Sequence, residues 1–128
     1  MIQQVTKGIR VSVETSYEGS FLKNSIPHHS FRYLITIENQ SKETVQLIKR
    51  HWIIKESCKH PQIVEGLGVV GKKPIIKSGQ VVQYESGCTL NSLTGSMKGY
   101  YTMINHSSTN EFRLEIPVFQ LETPFSLN

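Results

Sequence analysis

Short segments in which apolar and polar residues alternate one for one recur along the chain. The first begins near residue 8, where Ile9, Val11 and Val13 alternate with polar neighbours. A period of two places the apolar side chains on one face of a β-strand. No window shows apolar residues at helical spacing behind a plausible N-terminal cap. The chain is therefore predicted to be all-β.

Several further runs predict strands, separated by turn-forming residues. We expect an all-β fold of the fibronectin type III or immunoglobulin kind, a sandwich of about seven or more antiparallel strands. Trp52 lies in the middle of one strand and is predicted to fill the core. Residues 18–30 are polar and contain a proline, so they are predicted to form a loop whose apolar residues tuck onto the sandwich edge. The strands are expected at residues 8–17, 31–37, 44–57, 75–76, 81–90, 96–104 and 112–116, the last interrupted at Pro117 by an edge position or a bulge.

Length and composition fit one domain that spans residues 1–128. A chain of this length buries enough surface to fold without a disulfide or a structural metal. Every acidic residue is a glutamate, because the sequence contains no aspartate. EF-hand calcium loops and two-metal phosphoryl-transfer sites rely on aspartate, so neither is expected, and we predict no cofactor.

Three glycines form a phosphate-loop look-alike. Gly66, Gly68 and Gly71 spell GxGxxG, a pattern that binds phosphate when a helix follows it. Here Pro74 comes three residues after the last glycine and prevents such a helix. The glycines are therefore expected to serve tight turns, a bulge or a close strand contact.

Two lysines directly follow these glycines. Lys72 nearly completes a P-loop, but Lys73 stands where that motif has serine or threonine. A glycine-rich turn with free amides and flanking lysines can still form a shallow anion site without a helix. Gly66, Gly68, Gly71, Lys72 and Lys73 are accordingly the candidate anion-binding residues.

Basic residues are concentrated between positions 49 and 77. Seven basic residues there oppose two glutamates, an excess larger than the net charge of +4 for the whole chain. Such a region could attract nucleic acid or a phosphorylated ligand. Because no aromatic platform or basic recognition helix accompanies it, we favour a solvated face and expect no nucleic-acid partner. The seven are Lys49, Arg50, Lys55, Lys59, Lys72, Lys73 and Lys77.

Candidate metal ligands and nucleophiles are scattered. His28 and His29 are the first candidates for a transition-metal site, but no HxH, HExxH or Cys–His cluster accompanies them. No GxSxG elbow frames a serine. Cys88 alternates with the inward residues of its strand, which is typical of a small core residue. We therefore predict no metal site, no catalytic residue and no enzyme activity.

The cysteines and the N-terminus indicate in which cellular compartment the protein is expected. Cys58 and Cys88 are far apart and have no metal-binding spacing. The first residues lack the apolar core of a signal peptide, and no apolar run is long enough to cross a bilayer. We expect a cytoplasmic protein with free thiols and no membrane association.

The stretch that begins at Glu65 carries a family resemblance. It reads EGLGVVGKKPIIKSGQVVQYESGCTLNSLTGSMKGYYTM. It resembles the ApaG family throughout that family's pattern, GxGVVGxxPxIxxGxxxxYxSGxxLxxxxGxMxGxYxM. The segments VQLIKRHWII and IPVFQL also resemble the family's VQLxxRxWxI and IPxFxL.

This resemblance implies a fibronectin type III-like or immunoglobulin-like sandwich, in agreement with the strand pattern. Bacterial members of the family are small stand-alone proteins linked to dinucleoside tetraphosphate metabolism, cobalt resistance and magnesium efflux. Related eukaryotic domains serve as protein-interaction modules. By resemblance, the chain is expected to be an ApaG domain with a protein partner.

Two functions follow as expectations. The first is a small non-enzymatic β-sandwich that acts as a protein-interaction or binding module. The alternative is a binder of pyrophosphate or nucleotide phosphates at the glycine-rich turn 66–73. An exposed strand edge could also pair two copies as a homodimer.

Overall fold

The structure is a computed structural model that describes residues 1–126. In that part of the chain, nine strands precede one short 3₁₀ turn. The elements are β1 (Ile2–Thr6), β2 (Ile9–Lys23), β3 (Ile26–Asn39), β4 (Val45–Glu56), β5 (Gln62–Leu67), β6 (Ile75–Ile76), β7 (Val81–Leu90), β8 (Thr94–Asn105), β9 (Glu111–Glu122) and the 3₁₀ turn Pro124–Ser126. Among these residues no helix has the length and hydropathy needed to traverse a bilayer.

Two antiparallel sheets face each other. The first sheet has the strand order β1-β2-β3-β7, and the second has the order β5-β4-β8-β9 with β6 beside β4. The predicted all-β sandwich of the immunoglobulin or fibronectin type III kind is therefore confirmed. Strand β9 is an edge strand, and its register shifts opposite Met97 and Gly99, where Pro117 lies. The edge position and the bulge expected for this proline are both present.

The core lies between the sheets and follows the predicted alternation. On β8, Met97, Tyr101 and Met103 are buried, and their neighbours on the strand are less so. Trp52 is buried as predicted, and its ring lies 5.5 Å from that of Tyr33, centroid to centroid. Such aromatic contacts add to the free energy gained from burying the rings themselves.

One buried polar residue ties the sheets together at the end of β3. Nδ2 of Asn39 donates hydrogen bonds to the carbonyl oxygens of Glu43 (2.7 Å) and Ile76 (2.9 Å). Its Oδ1 accepts one from the backbone amide of Ser41 at 3.0 Å. The side chain thus fixes the turn between β3 and β4 against β6.

The prediction of a loop at residues 18–30 is wrong. Strands β2 and β3 continue through it as a long hairpin, in which Lys23 pairs with Ile26. Its apolar residues do not tuck onto the sandwich, because Phe21, Leu22 and Ile26 are all exposed. Strand β1 was not expected either, since four of its five residues are exposed and show no buried face.

Candidate functional site

The glycine-rich segment closes in a tight two-residue turn. The amide of Val69 donates to the carbonyl of Lys72 at 2.8 Å, and the amide of Lys72 donates back at 3.0 Å. Between them, Val70 and Gly71 have φ angles of 48° and 74°. Positive φ at both central positions is the requirement of a type I′ turn, whose twist suits the flanking strands. No helix follows, and the chain proceeds to β6 as expected from Pro74.

The other two glycines lie in close contacts, Gly68 with backbone and Gly66 with a side chain. A Cβ on Gly68 would lie 2.2 Å from the carbonyl oxygen of Lys72, and the φ of Gly68 is 62°. A Cβ on Gly66 would lie 2.6 Å from a guanidinium nitrogen of Arg50. Gly68 therefore needs a residue without a side chain, whereas a Cβ at Gly66 would require the flexible end of the Arg50 side chain to shift.

Several amides of this segment are already engaged. Gly68 donates to the carbonyl of Ile48 at 2.7 Å, and Val69 and Lys72 bond to each other. The two exposed lysines, Lys72 and Lys73, flank what remains of the turn. The candidate anion site of residues 66–73 therefore has two nearby cations, but fewer available amides than its glycine count suggests.

Arg50 faces the interior of the sandwich, not the solvated face to which the sequence assigned it. A β-bulge between Leu47 and Lys49 shifts the phase of β4 by one residue. Beyond the bulge, Arg50 is paired with Tyr101 and Trp52 with Gly99, and residues directly opposite each other share a face. The arginine consequently lies on the inner face beside the core tryptophan.

The glycine segment holds the guanidinium of Arg50 in place. Its Nη1 donates to the carbonyl oxygens of Leu67 (3.0 Å) and Gly68 (2.8 Å). The missing side chain of Gly66 gives the guanidinium room to lie against β5. The GxGxxG residues thus present carbonyl oxygens to a cation on this side.

A cleft of about 390 Å³ opens beside Arg50, on the side of the sandwich where β5 and β7 are edge strands. That volume lies within the range of small-molecule sites. One wall is apolar and another carries hydroxyl groups. The apolar lining includes Trp52, Ile54, Val64, Val69, Val70 and Met97; the polar lining includes Tyr33, Tyr84, Ser86 and Cys88.

Burial governs the titration of the groups that line this cleft. It raises the pKa of the Cys88 thiol to about 11, so the thiol is protonated at neutral pH and is a poor nucleophile. Burial also raises the pKa of Tyr33 and of Tyr84 above the ordinary value, and the charge of nearby Arg50 opposes the shift in both. The cleft therefore presents neutral hydroxyl and thiol groups together with two charged side chains, Arg50 and Glu85.

A second surface feature is a two-stranded extension of the first sheet, the arm (residues 19–28). Strand β7 pairs with β3 only from His29 onward, so the residues of the arm have only each other as strand partners. The arm closes in a two-residue turn at Asn24 and Ser25, both with positive φ. Apolar side chains lie along it: Phe21 is 49% exposed and Leu22 is 73% exposed.

The two adjacent histidines lie at the base of the arm. Because neighbouring residues of a strand point to opposite faces, their rings do not converge. Nδ1 of His28 donates to the carbonyl of Ile26 at 2.8 Å, whereas Nδ1 of the buried His29 lies 2.6 Å from Oγ of Ser20. No group of three histidine, cysteine or glutamate side chains that could hold a metal is found within residues 1–126.

Fold and surface define a class of protein, a small antiparallel β-sandwich with a lined cleft at one open side and a projecting arm. A sequence profile of the ApaG domain matches residues 20–105. Protein ApaG of Brucella abortus is 41% identical over 124 residues, which cover 97% of this chain and 95% of that protein. Protein ApaG of Thiobacillus denitrificans is 40% identical over 116 residues, 91% of each chain.

Solved structures agree with the sequence relatives. A structure from the Northeast Structural Genomics Consortium has a TM-score of 0.88 at 37% identity, over 94% of this chain and 90% of the other. A Bordetella pertussis structure solved under the provisional name ApaA has a TM-score of 0.83 at 34% identity, over 91% of this chain and 94% of the other. The chain belongs to the ApaG domain family.

Proposed function

We propose that this ApaG domain is a non-enzymatic binding module that contacts a partner protein through its arm. One observation carries the proposal: the arm extends beyond the end of the pairing between β3 and β7 and exposes large apolar side chains. A two-stranded ribbon in water gains little stability on its own. Exposed apolar surface at such a place is typical of a protein-interaction site.

The exposed side chains lie on both faces of the arm. Phe21 stacks on His28 with ring centroids 5.1 Å apart, and Ile26 lies on the same face. Leu22 is paired with Pro27 on the opposite face. A partner with an apolar groove could therefore receive the arm from both sides, and the unpaired strand edges could add main-chain hydrogen bonds.

The absence of catalytic activity is part of the same proposal. The Cys88 thiol, inside the cleft, is protonated at neutral pH because burial raises its pKa. The hydroxyl groups of the cleft have no histidine base in its lining, and Glu85, its one carboxylate, pairs with Arg32 at 3.4 Å. These features favour binding over acyl or phosphoryl transfer. We also propose a cytoplasmic location, supported by two free cysteines, one of them exposed.

A capture experiment tests the arm. The tagged full chain is compared with a Leu22→Ser/Ile26→Ser variant, and Ile63→Ser serves as the matched control because Ile63 is 61% exposed on β5, outside the arm. Wild type and control are expected to retain the same partner in near-stoichiometric amount, and the arm variant is expected to lose it.

All three proteins should unfold at similar temperatures, since exposed substitutions of this kind change stability by about 0.5 kcal/mol or less. Retention of the partner by the arm variant would refute the assignment of the surface. Failure of the wild-type chain to retain any partner would refute the interaction role. Self-association of the wild-type chain would identify a second copy as the partner.

A second candidate function is binding of pyrophosphate or nucleotide phosphates at the turn 66–73. The adjacent exposed side chains of Lys72 and Lys73 favour it. Amide NMR during a pyrophosphate titration is the test, with Lys72→Gln/Lys73→Gln compared against Lys49→Gln/Lys55→Gln. Saturable shifts at the turn that only the first variant abolishes would support this function, and shifts elsewhere would exclude it.

We propose that the cobalt, magnesium and dinucleoside tetraphosphate roles associated with the family are exercised here through the partner. The separation of His28 from His29 on opposite strand faces supports an indirect metal role. Equilibrium dialysis with Co²⁺ distinguishes the cases: an indirect role predicts no stoichiometric binding, and tight binding of one Co²⁺ per chain would contradict it.

A further inference from the structure

Arg50 is a half-buried cation on the inner face of β4, and it has no acidic partner among residues 1–126. Ion pairs among residues 1–126 involve Arg10, Arg32, His51 and Lys59, and Arg50 is in none of them. A guanidinium that is partly withdrawn from water forms its strongest hydrogen bonds with a carboxylate or another anion. Here one guanidinium nitrogen is used by two backbone carbonyls, which hold the group but do not neutralise it.

The two carbonyl contacts fix the orientation of the Arg50 guanidinium. They engage Nη1 alone, so the other donors of the guanidinium fork have no hydrogen-bond partner among residues 1–126. A planar fork held in one orientation suits a carboxylate or phosphate, which accepts two parallel hydrogen bonds.

The cleft beside Arg50 has the composition of a small-molecule site. Its apolar wall, with Trp52 and Met97, can cover a hydrophobic body, and Ser86 and the Tyr33 phenol can donate or accept hydrogen bonds. Glu85 also lines the cleft, but its carboxylate lies 3.4 Å from the guanidinium of Arg32. This ion pair reduces the repulsion that Glu85 would exert on an anion.

The rim of the cleft contains a strained residue. Val70 has a φ of 48°, in the left-handed region that β-branched residues rarely occupy, and its side chain is exposed at the cleft. The type I′ turn between Val69 and Lys72 accounts for this φ and places Val70 at the rim of the cleft.

We propose that the cleft binds a small organic anion, with its carboxylate or phosphate on Arg50 and its apolar body between the two sheets. The site is separate from the arm, and it shares Val69 and Val70 with the glycine-rich turn, whose Lys72 and Lys73 are not in its lining. Its ligand class is a monoanionic or dianionic head group attached to an aromatic or aliphatic body of a few carbon atoms.

Phenyl phosphate is the probe, with benzyl alcohol as the neutral analogue. Trp52 is the only tryptophan and lines the cleft, so its fluorescence reports occupancy directly. Phenyl phosphate should change the emission saturably and bind at least about tenfold more tightly than benzyl alcohol, as expected for a charge-assisted contact. Amide shifts should fall on β7 and around Val64, with phenyl phosphate and phenylacetate giving the same pattern if head-group charge is what matters.

Variants assign the contact to Arg50. Arg50→Gln should weaken phenyl phosphate binding by about tenfold or more, and Arg50→Lys should fall between because it keeps the charge but loses the fork. Arg113→Gln is the control, since its guanidinium lies 4.2 Å from the ring centre of Tyr100, on the other face of the second sheet. The affinity of Arg113→Gln for phenyl phosphate should equal that of the wild type.

The proposal would be overturned by equal binding of the anion and the neutral analogue, by undiminished binding to Arg50→Gln, or by shifts confined to Lys72 and Lys73. If Arg50→Gln does not fold, as judged by circular dichroism, the comparison of phenyl phosphate with benzyl alcohol on the wild-type chain decides the question. Absence of any saturable response to phenyl phosphate and phenylacetate at millimolar concentration would also refute it.

Discussion

Substitution of Gly68 by alanine should destabilise the protein far more than substitution of Gly71. Both glycines have positive φ, so an alanine at either position costs roughly 1 kcal/mol of backbone strain. Only at Gly68 would the new Cβ meet backbone, 2.2 Å from the carbonyl oxygen of Lys72. At Gly71 nothing lies within 4 Å of it.

The clash at Gly68 is relieved only by opening the turn. That movement breaks the two hydrogen bonds between Val69 and Lys72, each worth about 1 kcal/mol net. With the backbone strain added, the expected loss for Gly68→Ala is about 3 kcal/mol, against about 1 kcal/mol for Gly71→Ala.

Urea unfolding followed by Trp52 fluorescence measures the difference. Trp52 is buried in the core, so its emission reports loss of the folded state. The midpoints should fall in the order wild type, Gly71→Ala, Gly68→Ala, with similar slopes. Equal midpoints for the two variants would refute the role assigned to Gly68, and midpoints unchanged from the wild type would indicate glycines kept for a ligand and not for the backbone.

Three further outcomes follow from the structure. Asn39→Ala should lower the free energy of unfolding by about 2–3 kcal/mol in urea, because the buried carbonyl of Ile76 loses its donor; a loss below about 0.5 kcal/mol would contradict this. Trp52→Ala should lower the free energy of unfolding by about 3–5 kcal/mol because it leaves a cavity in the core. Tyr100→Ala, on the outer face, should lower it by less. Burial raises the pKa of the Cys88 thiol to about 11 in the folded protein. As the pH rises, the thiol therefore loses its proton in the unfolded chain at a lower pH than in the folded protein. Stability should therefore decline between pH 9 and 11, and Cys88→Ala should show a decline smaller by up to about 2 kcal/mol in denaturation at each pH; identical pH profiles would exclude the thiol.

The strands that bury one face were predictable because alternation reports burial. Met97, Tyr101 and Met103 show this on β8, where each inward residue was identified from the pattern. Strand β1 and the arm were missed for the same reason, since neither has a buried face to impose a pattern. The Asn24–Ser25 pair was the available signal for the arm, because such residues tolerate the positive φ of a two-residue turn.

The position of Arg50 was missed because a bulge shifts the phase of its strand. The apolar residues of β4 occupy odd positions at Val45 and Leu47 and even positions at Trp52 and Ile54. That change of phase requires one extra residue between them and places Arg50 on the inner face. The cleft itself could not be predicted, since it depends on how far apart the edge strands β5 and β7 lie.

Site-specific photocrosslinking in growing cells shows whether the arm contacts a partner. A benzophenone amino acid is placed at Leu22 on the arm and, in a separate chain, at Val118 on β9, which is 53% exposed. The arm position is expected to give one discrete crosslinked product, and the β9 position none. Crosslinks from Val118 alone, or none from Leu22 after irradiation, would contradict a binding role for the arm.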